Sequence, residues 1–147
     1  MGVLIENRQN KYKISKKTLK EKALAILDAL GSPDGELSIL LLDDAQIAVL
    51  NETYLQRQGP TNVISFPMRE GAYAEINPDL LGDVVISMET AEKESLTAGM
   101  AMTDRLKELM IHGILHLFGY DHETSETQAR RMEAKSRELF KLIGPIS

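Results

Sequence analysis

A segment from about Thr103 to Phe118 sets the tightest limit on the fold, because apolar side chains at helical spacing surround it almost completely. A helix that is hydrophobic on nearly every side is usually buried at the centre of a domain. We therefore predict a helix here that other elements contact on more than one face. Its apolar residues are Leu106, Leu109, Met110, Ile111, Ile114, Leu115, Leu117 and Phe118.

Short apolar runs and helical repeats predict the remaining elements. Strands are expected at Val3–Ile14, Glu36–Leu42, Asn62–Pro67 and Asp83–Met88. Helices are expected at Lys16–Leu30, after an N-cap at Asp43 or Asp44, from Ser87 to about Met100, and after the capping box Ser125-x-x-Gln128. Because the two kinds of element interleave, the sequence predicts an α/β-type sandwich with a mixed sheet. We class it as an α+β fold in which about five helices pack on a mixed sheet of about four strands.

Composition limits the chemistry that this fold can carry. The 147 residues suit a single domain, expected to span 1–147, and 43% of them are apolar, which is enough for a core. The chain has no cysteine, which excludes disulfides, thiolate zinc ligands and cysteine nucleophiles. No export signal is visible, and no apolar run approaches the roughly 18 residues of a membrane span. We therefore expect a cytoplasmic protein with no membrane partner.

Charge is distributed unevenly along the chain. Residues 1–22 carry seven Lys or Arg and two Glu, whereas the whole chain has a net charge of −5. The basic stretch Lys11–Lys22 could face a phosphate backbone. It is more simply explained as the solvated face of the first helix.

The most informative residues for function are the histidines. The chain has three, and all lie in the segment 112–122. His112 and His116 are four residues apart, so on a helix both rings lie on one face, one turn apart. Gly119 can end that helix in the left-handed conformation and let the chain bring His122 back to the same ion. Three imidazoles with water in the fourth position are typical of a catalytic zinc site, and we predict one Zn²⁺ per chain.

The same spacing occurs in the metzincin proteases, whose motif is HExxHxxGxxH. Those enzymes have a Glu after the first histidine as general base, and this chain has Gly113 there. Glycine cannot accept a proton, so peptide hydrolysis is disfavoured. Cleavage of a phosphodiester chiefly needs charge stabilisation on phosphate oxygens, which a metal and an arginine supply.

Three segments of the chain resemble a known family. The segment HGILHLFGYDH (112–122) is similar to the signature HGxLHLxGYDH of the YbeY endoribonucleases, and PTNVISFP (60–67) and LGDVVIS (81–87) agree with two further blocks of that family in order and spacing. The resemblance implies a zinc-dependent, single-strand-specific endoribonuclease that acts in 3′-end maturation of small-subunit ribosomal RNA and in ribosome quality control. It also implies a distantly metzincin-like zinc-binding helix, with His112, His116 and His122 as ligands.

One position departs from the family pattern. The family commonly has an arginine, thought to contribute to activity, directly after the aromatic residue that precedes the PT block, whereas here Tyr54 is followed by Leu55. Arg57 is the nearest substitute as a catalytic arginine, and it could equally be a solvated loop cation. Asp121, beside a ligand, could orient a ligand ring or hold metal-bound water, or it could be a turn residue.

Two other functions remain open at this stage. The chain could be a different tri-histidine zinc hydrolase, acting on a peptide or an ester. It could also be a ribosome-assembly factor whose zinc only stabilises the fold and whose Lys11–Lys22 stretch binds RNA. The expected partners are single-stranded RNA, ribosomal RNA or the ribosome, and no DNA is expected.

Overall fold

The computed structural model of the chain describes residues 2–68, 79–121, 123 and 125–146. Within these ranges the chain forms four strands and five helices. In chain order they are β1 (Val3–Asn7), α1 (Lys16–Ala29), β2 (Glu36–Leu42), α2 (Asp44–Leu55), β3 (Val63–Pro67), β4 (Leu80–Ser87), α3 (Met88–Ala98), α4 (Met102–Leu117) and α5 (Glu126–Ile143). The predicted α+β fold is confirmed.

The strands form one mixed sheet in the order β1-β2-β4-β3. β1 pairs with β2 and β2 pairs with β4 in parallel, while β3 runs antiparallel to β4, with Val63 opposite Ile86. Parallel neighbours require a crossover connection, which α1 supplies between β1 and β2. Within the described ranges β3 is thus an edge strand, and only one of its sides is paired.

Helix α4 lies in the core against one face of the sheet, as its apolar pattern predicts. Leu106, Met110 and Ile114 are completely buried in one cluster with Ile39 and Val84 of the sheet. α4 contacts β3, β4, α3 and α5. The opposite face of the sheet packs on α2 through a smaller cluster formed by Leu42, Ile47, Ile64 and Val85.

The first strand is shorter than predicted, because β1 ends at Asn7 and not at Ile14. The side chain of Gln9 explains the difference. Its Oε1 accepts hydrogen bonds from the backbone N–H groups of Lys11 and Tyr12, at 3.0 and 2.9 Å, and its Nε2 donates to Asn7 Oδ1 at 2.8 Å. These bonds turn the chain away from the sheet. Among the described helices, none combines the length and the hydropathy that crossing a membrane requires.

Candidate metal centre

Two of the three predicted metal ligands converge on one point. His112 and His116 lie one turn apart on α4, and their Nε2 atoms are 3.0 Å from each other. The ring centroids are 4.6 Å apart and the ring planes are inclined by 73°. The helical spacing read from the sequence therefore does bring both ring nitrogens to the same place.

The geometry of this pair fits a shared metal ion. Two zinc–nitrogen bonds of about 2.05 Å at the tetrahedral angle place the two nitrogens about 3.3 Å apart, close to the observed separation. His122, the third predicted ligand, lies outside the described residues. Within the described ranges, no group of three or more His, Cys, Asp or Glu is placed to hold a metal ion. The described pair has a geometry that two ligands of one ion would have, and all three ligands stay predictions.

The helix stops immediately after the second histidine. Gly119 has a φ of +89°, and its N–H donates to the carbonyl of His116 at 3.0 Å. The N–H of Tyr120 donates to the carbonyl of Leu115 at 3.1 Å, which closes the turn. A φ in this region favours glycine. Gly119 thus ends the helix as the sequence predicted, two residues before Asp121.

A cleft of about 770 Å³ opens beside the histidine pair. Its lining brings together residues that are far apart in sequence, because β3, the end of α2 and the end of α4 meet there. Leu55, which stands where the family resemblance implies an arginine, lines it as well. Among its polar and aromatic lining residues are Arg57, Ser65, His112, His116, Tyr120 and Asp121.

Arg57 and Asp121 differ in how they are held. Arg57 follows Gln56, which ends α2 at a φ of +52°, and no carboxylate in the described part of the chain pairs with the guanidinium of Arg57. One carboxylate oxygen of Asp121 accepts the N–H of Glu123 at 2.8 Å. Asp121 therefore forms a turn, while Arg57 stands at the cleft with no acidic partner among the described residues.

The edge strand is attached to the helix beside the histidines. The hydroxyl of Ser65 donates to the carbonyl of Gly113 at 2.8 Å. The next residue, Phe66, points to the other face of the sheet, where its ring lies edge-on to Tyr54 at 5.7 Å between centroids. Ser65 is thus a structural contact of the site, and Phe66 is not in the cleft lining.

Gly113 has a packing role that the sequence did not reveal. A Cβ atom placed on it would lie 2.5 Å from Cγ1 and 3.2 Å from Cγ2 of Val84. Glycine therefore lets α4 lie directly on β4 in the turn that carries the histidines. The glutamate of the metzincin pattern does not fit at this position unless the Val84 side chain or the sheet shifts.

The basic stretch near the N-terminus does not belong to the cleft. Lys22 donates to the carbonyl of Ile143 at 2.6 Å, and Lys11 lies 3.8 Å from Glu89. Lys16, Lys17 and Lys20 are exposed on α1. These placements agree with a solvated helix face.

Comparison with known proteins gives a consistent match over the whole chain. Residues 4–144 match the family model described as Endoribonuclease YbeY. A protein of that name from Geobacter sulfurreducens is 51% identical over 144 residues, which cover 97% of this chain and 96% of the relative. A namesake from Aquifex aeolicus is 43% identical over 131 residues, which cover 88% and 81%. The solution structure of TM1509 from Thermotoga maritima shares the fold, with a TM-score of 0.68, 24% identity, and coverage of 96% of this chain and 88% of that one.

Proposed function

Because the chain belongs to the Endoribonuclease YbeY family, we propose that it is a metal-dependent endoribonuclease that cleaves single-stranded RNA. The observation that carries this proposal is the 3.0 Å approach of the His112 and His116 Nε2 atoms, at a cleft that Arg57 also lines. Arg57 has no acidic partner among the described residues, and it lines the same cleft as two imidazoles spaced to bind a metal ion. This arrangement suits an anionic substrate.

The proposed ligands are His112, His116 and His122, with one Zn²⁺ per chain. When bound, the ion supplies Lewis-acid stabilisation of charge on the phosphoryl oxygens. The neutral imidazoles add no negative charge of their own, so the phosphodiester meets a cationic centre. The turn at Gly119 supports His122 as the third ligand, because it reverses the chain just beyond His116.

The other proposed roles belong to the walls of the cleft. Arg57 holds a non-bridging phosphate oxygen, since its planar guanidinium can donate two parallel hydrogen bonds to phosphate. The ring of Tyr120 offers a face for an unpaired base. Asp121, whose second carboxylate oxygen is not used by the turn, orients a ligand ring or a water molecule.

The family resemblance supports a more specific substrate. We infer that the natural substrate is the 3′ end of small-subunit ribosomal RNA, and that the enzyme also acts in ribosome quality control in the cytoplasm. A base can enter the cleft only when it is unpaired, so the proposal includes a preference for single strands over duplexes.

The test measures bound metal by elemental analysis and cleavage of an unstructured RNA, a duplex of the same sequence and an unstructured peptide. We expect one zinc per chain, cleavage of the unstructured RNA only, and loss of both zinc and cleavage in His116→Ala. Thr127→Ala, a change at an exposed position of α5, is the control and should behave as the parent chain. Full RNA cleavage by a zinc-free His116→Ala protein would overturn the proposal. Zinc without any RNA cleavage would indicate an assembly factor, and peptide cleavage would indicate another zinc hydrolase.

A further inference from the structure

A second cavity, which we name the α4–α5 cavity, adjoins the histidine cleft. It has a volume of about 350 Å³ and lies between α4 and α5, with the start of β3 along one side. Asn62, Val63 and His112 line both this cavity and the cleft. A molecule that fills the α4–α5 cavity would therefore reach one of the proposed metal ligands.

The cavity follows from the way the two helices approach each other. α4 lines it with Arg105, Glu108 and His112, which recur at helical spacing on one face, and α5 lines it with Ser136 and Phe140, one turn apart. Helix interfaces are normally close-packed. Here the small side chain of Ser136 leaves a space of a size that is typical of ligand pockets, which start at roughly 300 Å³.

The lining combines apolar walls with a basic rim. Val63, Leu109, Ile111 and Phe140 supply apolar surface. Lys141 and Arg137 are exposed at the α5 side, and the only partner of Arg137 in the described part of the chain is Glu133 on the surface, at 3.0 Å. An exposed pair of this kind is weak, so both cations are available to an anion. Lys107 Nζ lies 3.6 Å from the centroid of the Phe140 ring, so a base would meet the rest of this apolar surface. Apolar surface next to positive charge suits a nucleobase with its phosphate.

The polar residues of the opposite wall are already bound to one another. Arg105 bridges Glu94, at 2.9 Å, and Glu108, at 2.8 Å, and the amide of Asn62 donates to both carboxylate oxygens of Glu94 at 3.2 Å. This network holds the start of β3 against α3 and α4. The wall is therefore preorganised, and its polar groups are already hydrogen-bonded. A base would bind through shape and apolar contact, with little selection by hydrogen bonds.

We propose that the α4–α5 cavity receives the unstacked base of the nucleotide next to the scissile phosphate. The inference rests on the proposed RNA cleavage and deepens it. Entry of one base would fix the position of its phosphate at the His112 side of the cleft, where the two spaces meet. It also explains a requirement for single strands, because a paired base cannot leave the duplex without the loss of its stacking and pairing energy.

The test fills the cavity and removes the base separately. Ser136→Phe places an aromatic ring in the cavity, and Ala134→Phe places the same ring on the exposed side of the same helix as the matched control. Each protein is assayed on an unstructured RNA and on copies with one abasic nucleotide, moved one position at a time across the cleavage site.

For the parent chain we expect one position at which loss of the base raises KM at least fivefold, which is about the low end for a stacked base. Ser136→Phe should raise KM for the intact RNA by a similar factor and should be insensitive to the abasic nucleotide at that position. Ala134→Phe should behave as the parent chain. Zinc content should be equal in all three proteins.

The outcomes separate this inference from the proposed function. If the parent chain cleaves no RNA, the proposed function fails, and this inference fails with it. If it cleaves RNA but no abasic position matters, or if Ser136→Phe stays sensitive to the same position, the inference alone is overturned.

A second variant covers the case in which Ser136→Phe does not fold, as judged by its melting curve. Lys141→Gln removes an exposed charge at the rim. It should raise KM and reduce the dependence of KM on salt concentration, because one phosphate contact is lost. An unchanged salt dependence would contradict the inference.

Discussion

Gly113 on α4 and Val84 on β4 are so close that a Cβ on the glycine would lie 2.5 Å from a methyl carbon of the valine. Such contacts are essentially never seen in folded proteins, so the Val84 side chain or one of the two elements would have to shift. The same turn of α4 carries His112. The contact therefore sets how close the first histidine lies to the sheet and to the edge strand beside it.

The first prediction concerns this contact. Gly113→Ala should destabilise the protein by up to about 2 kcal/mol, because an overpacking cost of about 1–3 kcal/mol is only partly offset by the gain of about 1 kcal/mol that alanine brings to a helix. Urea unfolding gives the change in the free energy of unfolding. Val84→Ala removes both methyl groups, so it should cost less in the Gly113→Ala background than alone. Equal costs in the two backgrounds would show that the contact does not limit packing.

The second prediction concerns Arg57. Arg57→Ala should lower the rate of RNA cleavage on the order of 100-fold, the usual effect of removing one charge-stabilising donor from an active site. Zinc content should not change, since Arg57 is not a ligand. If Arg57 replaces the arginine that the family has at position 55, Leu55→Arg should restore activity to the Arg57→Ala protein.

The control for this pair is Arg130→Ala, which removes an exposed arginine of α5 whose partner is Glu126. It should leave cleavage unchanged. A parent-like rate in Arg57→Ala would identify Arg57 as a solvated loop residue, and failure of Leu55→Arg to restore activity would mean that the two positions are not equivalent.

The third prediction concerns pH and Asp44. Burial alone would raise the pKa of this carboxyl, but hydrogen bonds from Ser87, Thr90 and Lys93 together hold its pKa below the ordinary value of 3.8. Ser87 donates at 2.6 Å and Lys93 lies at 2.9 Å. A lowered carboxyl pKa stabilises the fold above the unfolded-state value, and that stability is lost as the pH falls through the folded-state value.

Asp44→Asn should therefore be less stable than the parent chain at pH 7, by on the order of 1 kcal/mol. The difference should persist down to about pH 4 and disappear as the pH falls further, which unfolding curves at several pH values would show. Asp34→Asn, at an exposed position in the turn after α1, is the control and should track the parent chain. A difference that stays constant to about pH 2 would rule out the carboxylate charge as its origin.

The fourth prediction concerns metal removal. A ligand that binds only the folded chain stabilises it by about 2.7 kcal/mol at 100 times its Kd. For a chain of this size that corresponds to a rise in Tm of roughly 5–10 °C. Zinc should produce such a rise in a chelator-treated sample, as followed by differential scanning calorimetry. His112→Ala and His116→Ala should show little of it, and an equal rise in these variants would place the metal elsewhere.

Much of the site could be predicted from the sequence, because it depends on the spacing of residues within one helix. The spacing of His112 and His116, the apolar pattern of α4 and the glycine at 119 all act within a few turns of one helix. Side-chain geometry within a helix follows from residue spacing alone. The structure accordingly agrees with the sequence on α4, on the imidazole pair and on the helix end.

Features that depend on contacts between elements far apart in the chain could not be predicted in this way. From the sequence, Gly113 indicates only that a general base is missing. Its packing role could not be predicted, because the contacting residue Val84 lies on a distant strand. Asp44 looks like a helix cap, whereas Asp43 caps α2 by accepting from Gln46 at 2.8 Å, and Asp44 binds residues of α3. The α4–α5 cavity likewise depends on how two helices pack, which residue spacing within either helix does not predict.

The end of α4 directly after His116 has an electrostatic consequence. The peptide dipoles of a helix add up to roughly half a negative charge at its carboxyl end. The two histidines stand in the last turns of a buried helix, so this field acts on whatever occupies the space between their rings. This field favours a cation and disfavours an anion there, so a cation held by the two rings would offset the potential that a phosphate would otherwise meet.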